Sequence, residues 1–258
     1  MITGMDAYLT QGTYRVRCDW GPPGADAVGP GAAIVAVVDV LSFTTALTVA
    51  ADRGAEVFPY RWRDERAETF AAERGAVLAV GRSQVSPGRP VSLSPATIRA
   101  VARLDRLVLP SPNGSTVSRR LAEAGATVIG VSLRNASAAA RWTAGRLPDG
   151  AAVAVIASGE RWPDGSLRPA VEDLWGAGAF LQGLIEQGVT GLSPEAAAAA
   201  AAYRHVEPDV RAALLDCVGG RELVSGGYRQ DVEIAAEHGA STVVPLLSGE
   251  SFRPAPAP

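Results

Sequence analysis

The densest run of side chains able to do chemistry is Ser158–Asp173, SGERWPDGSLRPAVED, where Glu160, Asp164, Glu172 and Asp173 stand beside Arg161 and Arg168. Carboxylates in this number suit Mg²⁺, which keeps several waters and needs only one or two carboxylates plus a substrate phosphate. A solvated loop explains Asp164, because Trp-Pro-Asp-Gly is an ordinary turn. Glu172 and Asp173 can also be read as first-turn acids favoured by a helix dipole. Glu160 follows Gly159 just beyond a buried apolar run and is the stronger candidate. Asp39 interrupts the apolar run AIVAVVDVL, and a buried carboxylate needs a partner or a metal to offset its desolvation. For Asp39, a site acid at a strand end and a structural acid capping the next loop are equally compatible with the pattern.

Other chemistries are excluded by what is missing. The chain has no lysine, so all 24 basic residues are arginines. That removes Schiff-base chemistry and the P-loop lysine, and leaves planar guanidinium forks to hold any anion. DVLSFTT lacks the second Asp of a D-x-D phosphatase, and neither Cys18 nor Cys217 lies in a C-x₅-R loop. There is no G-x-S-x-G, H-E-x-x-H or strand-borne G-x-G-x-x-G, and two histidines, His205 and His238, cannot build a His-rich metal centre. A net charge of −3 argues against a nucleic-acid partner. No apolar run reaches the length of a membrane span. Two isolated cysteines and no leader pattern make a reducing cytoplasm the expected compartment.

These residues need a scaffold, and the sequence supplies an α/β one. Apolar runs alternate with helical patterns almost throughout. Strands are expected at Ala33–Leu41, Val57–Tyr60, Ala76–Val80, Leu107–Leu109, Thr127–Val131 and Ala152–Ile156. Helices are expected after Asp39, over Glu65–Arg74, from Val171, and over Pro194–Tyr203, Val210–Leu215 and Arg229–His238. Thr13–Trp20 alternates like a half-buried strand with an antiparallel partner, which makes the sheet mixed. Thr242–Leu247 reads as an edge strand because of Pro245. Residues 1–251 read as one domain, and 252–258 (FRPAPAP) as a disordered tail. Four strands end in polar loops before helices, at Asp39–Thr45, Ser111–Thr116, Ser132–Ser137 and Ala157–Glu160. Capping explains any one of them. As a group they predict one crevice at strand carboxyl ends, where helix N-termini attract anions.

Taken in order, these segments resemble the 2-phosphosulfolactate phosphatase family, the Mg²⁺-dependent phosphatases of coenzyme M biosynthesis. The resemblance runs from about Ala33 to Leu247. It is carried by DVLSFTTAL (like D-V-L-R-A-T-T), SPNGST (like T-T-N-G-T), RNASAAA (like L-N-A-S-A), the SGE…EDLWGAGAF block and GGYRQDVEIAAEHGASTVVPLL. It implies a three-layer α/β/α fold with a mixed, largely parallel sheet, Mg²⁺, and a small anionic phosphate monoester as substrate. By position it makes Asp39, Asn113, Asn135, Glu160, Glu172 and Asp173 candidate polar site residues, with Thr44 and Thr45 as phosphate-contacting hydroxyls. Arg82 matches a Gly/Arg segment. The chain departs from the pattern at Ser42 and Phe43, where the family usually has Arg and Ala, and at Ser158, where many relatives carry Cys.

The mechanism expected from this is in-line attack on phosphorus by metal-activated water. Some of Glu160, Glu172, Asp173 and Asp39 hold Mg²⁺, and Asp39 is a candidate general base. Backbone N–H groups near Asn113–Gly114 and Thr44–Thr45, with Arg82 or Arg161, hold the oxyanion. Ser158 as nucleophile is the minor alternative, since the motif offers no histidine to activate it. Three rivals remain: a phosphatase for another small phosphorylated acid, a non-hydrolytic metal-dependent enzyme, and a non-catalytic anion-binding module. A homo-oligomer is compatible with all of them.

Overall fold

The structure, a computed structural model, describes residues 8–61 and 65–256. Among these residues eleven strands are present: β1 (Val16–Trp20), β2 (Ala32–Val38), β3 (Glu56–Tyr60), β4 (Val77–Leu78), β5 (Arg106–Pro110), β6 (Thr127–Val131), β7 (Ala152–Ala157), β8 (Glu160–Arg161), β9 (Leu167–Arg168), β10 (Pro245–Ser248) and β11 (Ser251–Pro254). Eleven α-helices connect them: α1 (Gly21–Val28), α2 (Phe43–Asp52), α3 (Glu65–Glu73), α4 (Pro95–Ala100), α5 (Gly114–Glu123), α6 (Ala136–Ala144), α7 (Val171–Glu186), α8 (Pro194–Val206), α9 (Val210–Asp216), α10 (Val218–Ser225) and α11 (Arg229–Ala235).

Nine strands form one mixed, largely parallel sheet in the order β1-β7-β2-β6-β10-β11-β3-β5-β4. Parallel pairing joins β1, β7, β2 and β6 on one side and β3, β5 and β4 on the other. The antiparallel hairpin β10–β11 bridges the two sets through the pairs Leu246↔Ile129 and Phe252↔Val57. Helices cover both faces, as the strand alternation requires. On β2, Ile34, Ala36 and Val38 pack with α6, α7 and α8, whereas Val35 and Val37 pack with α1, α2 and α5. On β7, Val153 and Val155 follow the first set and Ala154 and Ile156 the second. This is the three-layer α/β/α arrangement expected from the sequence.

Three sequence expectations are corrected. β1 lies at the sheet edge but pairs parallel to β7, because α1 carries the chain across to β2 and the antiparallel element is supplied at the other end of the chain. The strand at Pro245 is internal, between β6 and β11; Pro245 is its first residue, a position where the missing N–H costs no ladder bond. Residues 252–254 are not a disordered tail. Phe252 is 1% exposed and packs edge-on against Phe43 at 6.2 Å, so one aromatic ring anchors a segment whose composition otherwise suggests disorder. Residues 257–258 lie outside the described residues.

Candidate active site

β2 ends at Val38, one residue before Asp39, so the acid lies just beyond the strand. Its Oδ1 accepts from the Phe43 N–H at 3.1 Å, and its Oδ2 from the Gly114 N–H at 2.9 Å and from Ser111 Oγ at 3.4 Å. Phe43 and Gly114 are the first residues of α2 and α5, so one buried carboxylate joins two helix N-termini whose N–H groups would otherwise be unpaired. Burial pushes the Asp39 carboxyl above the usual range, while these donors and the Arg82 charge pull it back. Gly114 has to be glycine here. A Cβ would lie 2.3 Å from the Phe43 ring and 2.8 Å from Asp39 Oδ2.

Two further contacts join the loop after β7 to the others. Asp173, in the first turn of α7, accepts from Val40 N–H at 2.7 Å and from Gly159 N–H at 2.8 Å. Asn113 Nδ2 donates to Glu160 Oε2 at 3.0 Å. The carboxyl ends of β2, β5 and β7 therefore converge, and Asp39, Asn113, Glu160 and Asp173 lie together in one polar cluster. Glu172 Oε1 lies over Gly219 of α10, where a Cβ would meet it at 2.1 Å, while its charge still reaches Glu160 and Asp173.

Every carboxyl of the cluster is raised, with burial the largest cause in each. Glu160 is pushed up to about 7, first by burial and then by the Asp39 charge, against the pull of Asn113 and Arg168. Burial also raises Glu172, and it raises Asp173 well above the carboxylate range with help from Asp39 and Glu172. A carboxyl poised near neutrality in a cleft is the usual mark of an acid–base site.

The other sequence candidates are distributed unevenly. Thr44 Oγ1 donates to the Asp39 carbonyl at 2.8 Å and Thr45 Oγ1 to the Val40 carbonyl at 2.8 Å; both residues are fully buried and turned inward rather than toward an anion. Asn135 is fully buried too. It accepts from Ser132 N–H and donates to the carbonyls of Gly130 and Val243, so it ties the β6 loop to the segment before β10. Arg161 is exposed and donates to Gly165 across its own hairpin, and Asp164 shapes the turn by accepting from Ser166. Ser158 is 2% exposed, and its Oγ has no hydrogen-bond partner among the described residues. Arg82 reaches Ser42 Oγ at 2.7 Å.

Two residues were given no site role from the sequence. Arg168 lowers both Glu160 and Glu172 while pairing with Glu222. Asp231, 2% exposed, holds Arg82. Arg168 had a signal, its place in the acidic block. Asp231 looked like any first-turn acid.

The donor set fits one kind of metal. Among the described residues no three His, Cys, Asp or Glu side chains converge as a ready cage. What is present is a group of hard oxygens whose like charges raise one another. A cation that brings its own waters and needs one or two carboxylates matches that set; a zinc-type cage does not.

An α/β sheet whose strand ends gather carboxylates, an amide and helix N-termini defines an enzyme that handles a small anion. Comparison makes this specific. The family model for 2-phosphosulpholactate phosphatase matches residues 27–250, and the chain belongs to that family, which makes it a phosphoric monoester hydrolase. A relative from Thermus thermophilus, named probable 2-phosphosulfolactate phosphatase, is 30% identical over 220 residues, covering 84% of this chain and 88% of the relative.

Proposed function

We propose that this protein hydrolyses 2-phosphosulfolactate to sulfolactate and inorganic phosphate, with Mg²⁺ as cofactor and Glu160 as general base. The observation that carries the assignment of the base is the Glu160–Asn113 contact. Asn113 fixes one carboxylate oxygen at 3.0 Å while burial and Asp39 bring the group to about 7, so it can take a proton from water at neutral pH. The water oxygen forms the new bond to phosphorus, the ester oxygen leaves, and that oxygen is protonated from solvent. Glu172 and Asp173 would hold Mg²⁺, each carboxylate oxygen keeping a lone pair beyond its present bonds. When bound, the ion supplies charge neutralisation for the phosphoryl oxygens. Asp39 is assigned a structural part, since its carboxylate ties together the first N–H groups of α2 and α5.

Ser158 is assigned to the pocket wall. With no histidine or other base bonded to its Oγ, its hydroxyl has no route to the ionised form. No helix among the described residues is long and apolar enough to cross a membrane. Free, buried Cys18 and Cys217 support a reducing cytoplasm as the compartment.

The test is phosphate release from racemic 2-phosphosulfolactate and a panel of small phosphate esters, with Mg²⁺ and with excess EDTA. Turnover is expected on the sulfonated ester with Mg²⁺ and none with chelator. Preference for another ester would reassign the substrate, and full turnover in EDTA would remove the metal.

A further inference from the structure

Arg82 comes from a single 3₁₀ turn, Arg82–Gln84, remote in sequence from every other site residue. Its Nε donates to Asp231 Oδ2 at 2.7 Å and its Nη2 to Ser42 Oγ at 2.7 Å, and the Tyr228 ring lies 5.6 Å from the guanidinium. Asp231 stands in the first turn of α11, and its second oxygen accepts from Ser94 Oγ at the N-cap of α4. Both oxygens of this buried acid are thus engaged, one of them on the guanidinium. Nη1 is different. It has no hydrogen-bond partner among the described residues, yet it is not a buried atom, and the side chain keeps 18% of its exposure.

The location gives this geometry its meaning. Ser42 is the residue before Phe43, whose N–H caps Asp39, so the Arg82 charge is fixed at the mouth of the Asp39 loop. An anionic substrate entering a crevice lined by raised carboxylates needs a cation facing it. Arg168 is drawn toward the acids, donating to Glu222 and lowering Glu160 and Glu172, whereas Arg82 is fixed at two of its nitrogens by Asp231 and Ser42 and keeps Nη1 over. A planar fork held on one side by a carboxylate presents its remaining donors in a fixed direction, which suits a tetrahedral oxyanion.

We propose that Asp231 is a positioning residue that fixes Arg82 so that Nη1 binds one tetrahedral oxyanion of the substrate, phosphoryl or sulfonate, beside Ser42. The identity of the oxyanion rests on the phosphatase reading; the binding site itself does not.

The experiment measures binding without turnover and turnover separately. Affinity for inorganic phosphate and for isethionate, a simple hydroxy-sulfonate, is read by calorimetry for the unaltered protein, Arg82→Ala, Asp231→Asn and the double variant. KM and kcat for phosphate release are read in parallel. Arg82→Ala and Asp231→Asn should each weaken one of the two anions and raise KM about tenfold, with a smaller change in kcat, as expected for loss of one charge-assisted hydrogen bond. The double variant should be no worse than Arg82→Ala, because Asp231 acts through Arg82. Ser42→Arg in the Asp231→Asn background should recover most of the lost affinity. Whichever anion weakens identifies the group held. Additive losses, no rescue, or unchanged affinity for both anions would overturn the proposal. If Asp231→Asn melts below assay temperature, Arg82→Lys carries the test. It keeps a charge for Asp231 but lacks the Nη1 donor and should show the same loss; full affinity would overturn the proposal. Should the protein bind an anion with this coupling yet fail to hydrolyse 2-phosphosulfolactate, the substrate assignment falls and the oxyanion site stands.

Discussion

Replacing Glu160 with glutamine should stabilise the protein at pH 8 while abolishing most of its turnover. Burial and the Asp39 charge hold the folded-state carboxyl at about 7, against 4.5 when unfolded. The folded protein therefore binds this proton more tightly than the unfolded chain. Stability from the group is fully present below about pH 4.5 and is lost as pH rises through about 7. The distance between those values, at ~1.36 kcal/mol per pH unit, sets a ceiling of about 3 kcal/mol. Because the Asp39 share is mutual, a gain of about 1–3 kcal/mol is expected on removing the charge, or about 3–10 °C in melting temperature for a chain of this size. The substituted amide keeps an oxygen to accept from Asn113, so the loop contact survives. Melts in EDTA at pH 5 and pH 8 should show the gain at pH 8 only, and added Mg²⁺ should shrink it by neutralising the same repulsion. Turnover should fall by about 10²–10⁴, the usual worth of a general base. A loss of stability at pH 8, or an equal change at both pH values, would refute the electrostatic reading.

Gly114→Ala should cost about 1–3 kcal/mol and most of the activity, since its Cβ would press the Phe43 ring at 2.3 Å and crowd Asp39; chemical denaturation and kcat check it, and near-normal values for both would contradict the packing. Ser158→Ala should leave the melting temperature unchanged or raised, because the Oγ it removes is buried without a partner. It should also keep activity within about a hundredfold, about 2.7 kcal/mol at most, and phosphate trapped on Ser158 would show that water is not the nucleophile. Phe252→Ala should destabilise by about 3–5 kcal/mol, and a loss under about 1 kcal/mol, read by urea titration, would mean that residues 252–254 are not an anchored strand.

The sheet was legible because its strands carry their signal locally. β2 and β7 are unbroken apolar runs covered on both faces, and their alternation was enough to place the layers. What failed was pairing. Nothing in VRCDW reveals that its neighbour is β7, whose partnership arises from a crossover of more than a hundred residues. The tail failed for a related reason. Proline and alanine dominate its composition, yet the single side chain of Phe252 fills a gap beside Phe43 that only the assembled sheet creates.

The site shows the same division between local and distant bonds. Asp39, Asn113, Glu160 and Asp173 were legible as polar residues after buried strands, and their hydrogen bonds cross from loop to loop over 14 to 133 positions. Thr44, Thr45 and Asn135 carry the same sequence signal, but their short side chains find main-chain partners mostly within five residues. Sequence cannot tell these groups apart, because each places polar residues in or beside a loop that follows a buried strand. Only the tertiary partner decides whether the polar atom faces the crevice or closes its own loop. Asp231 is the converse case. On α11 it is one of two acids, and it gains a part in the site only because the fold lays that helix beside the turn bearing Arg82. The residues that set a site's charge can therefore lie outside every motif that announces the site.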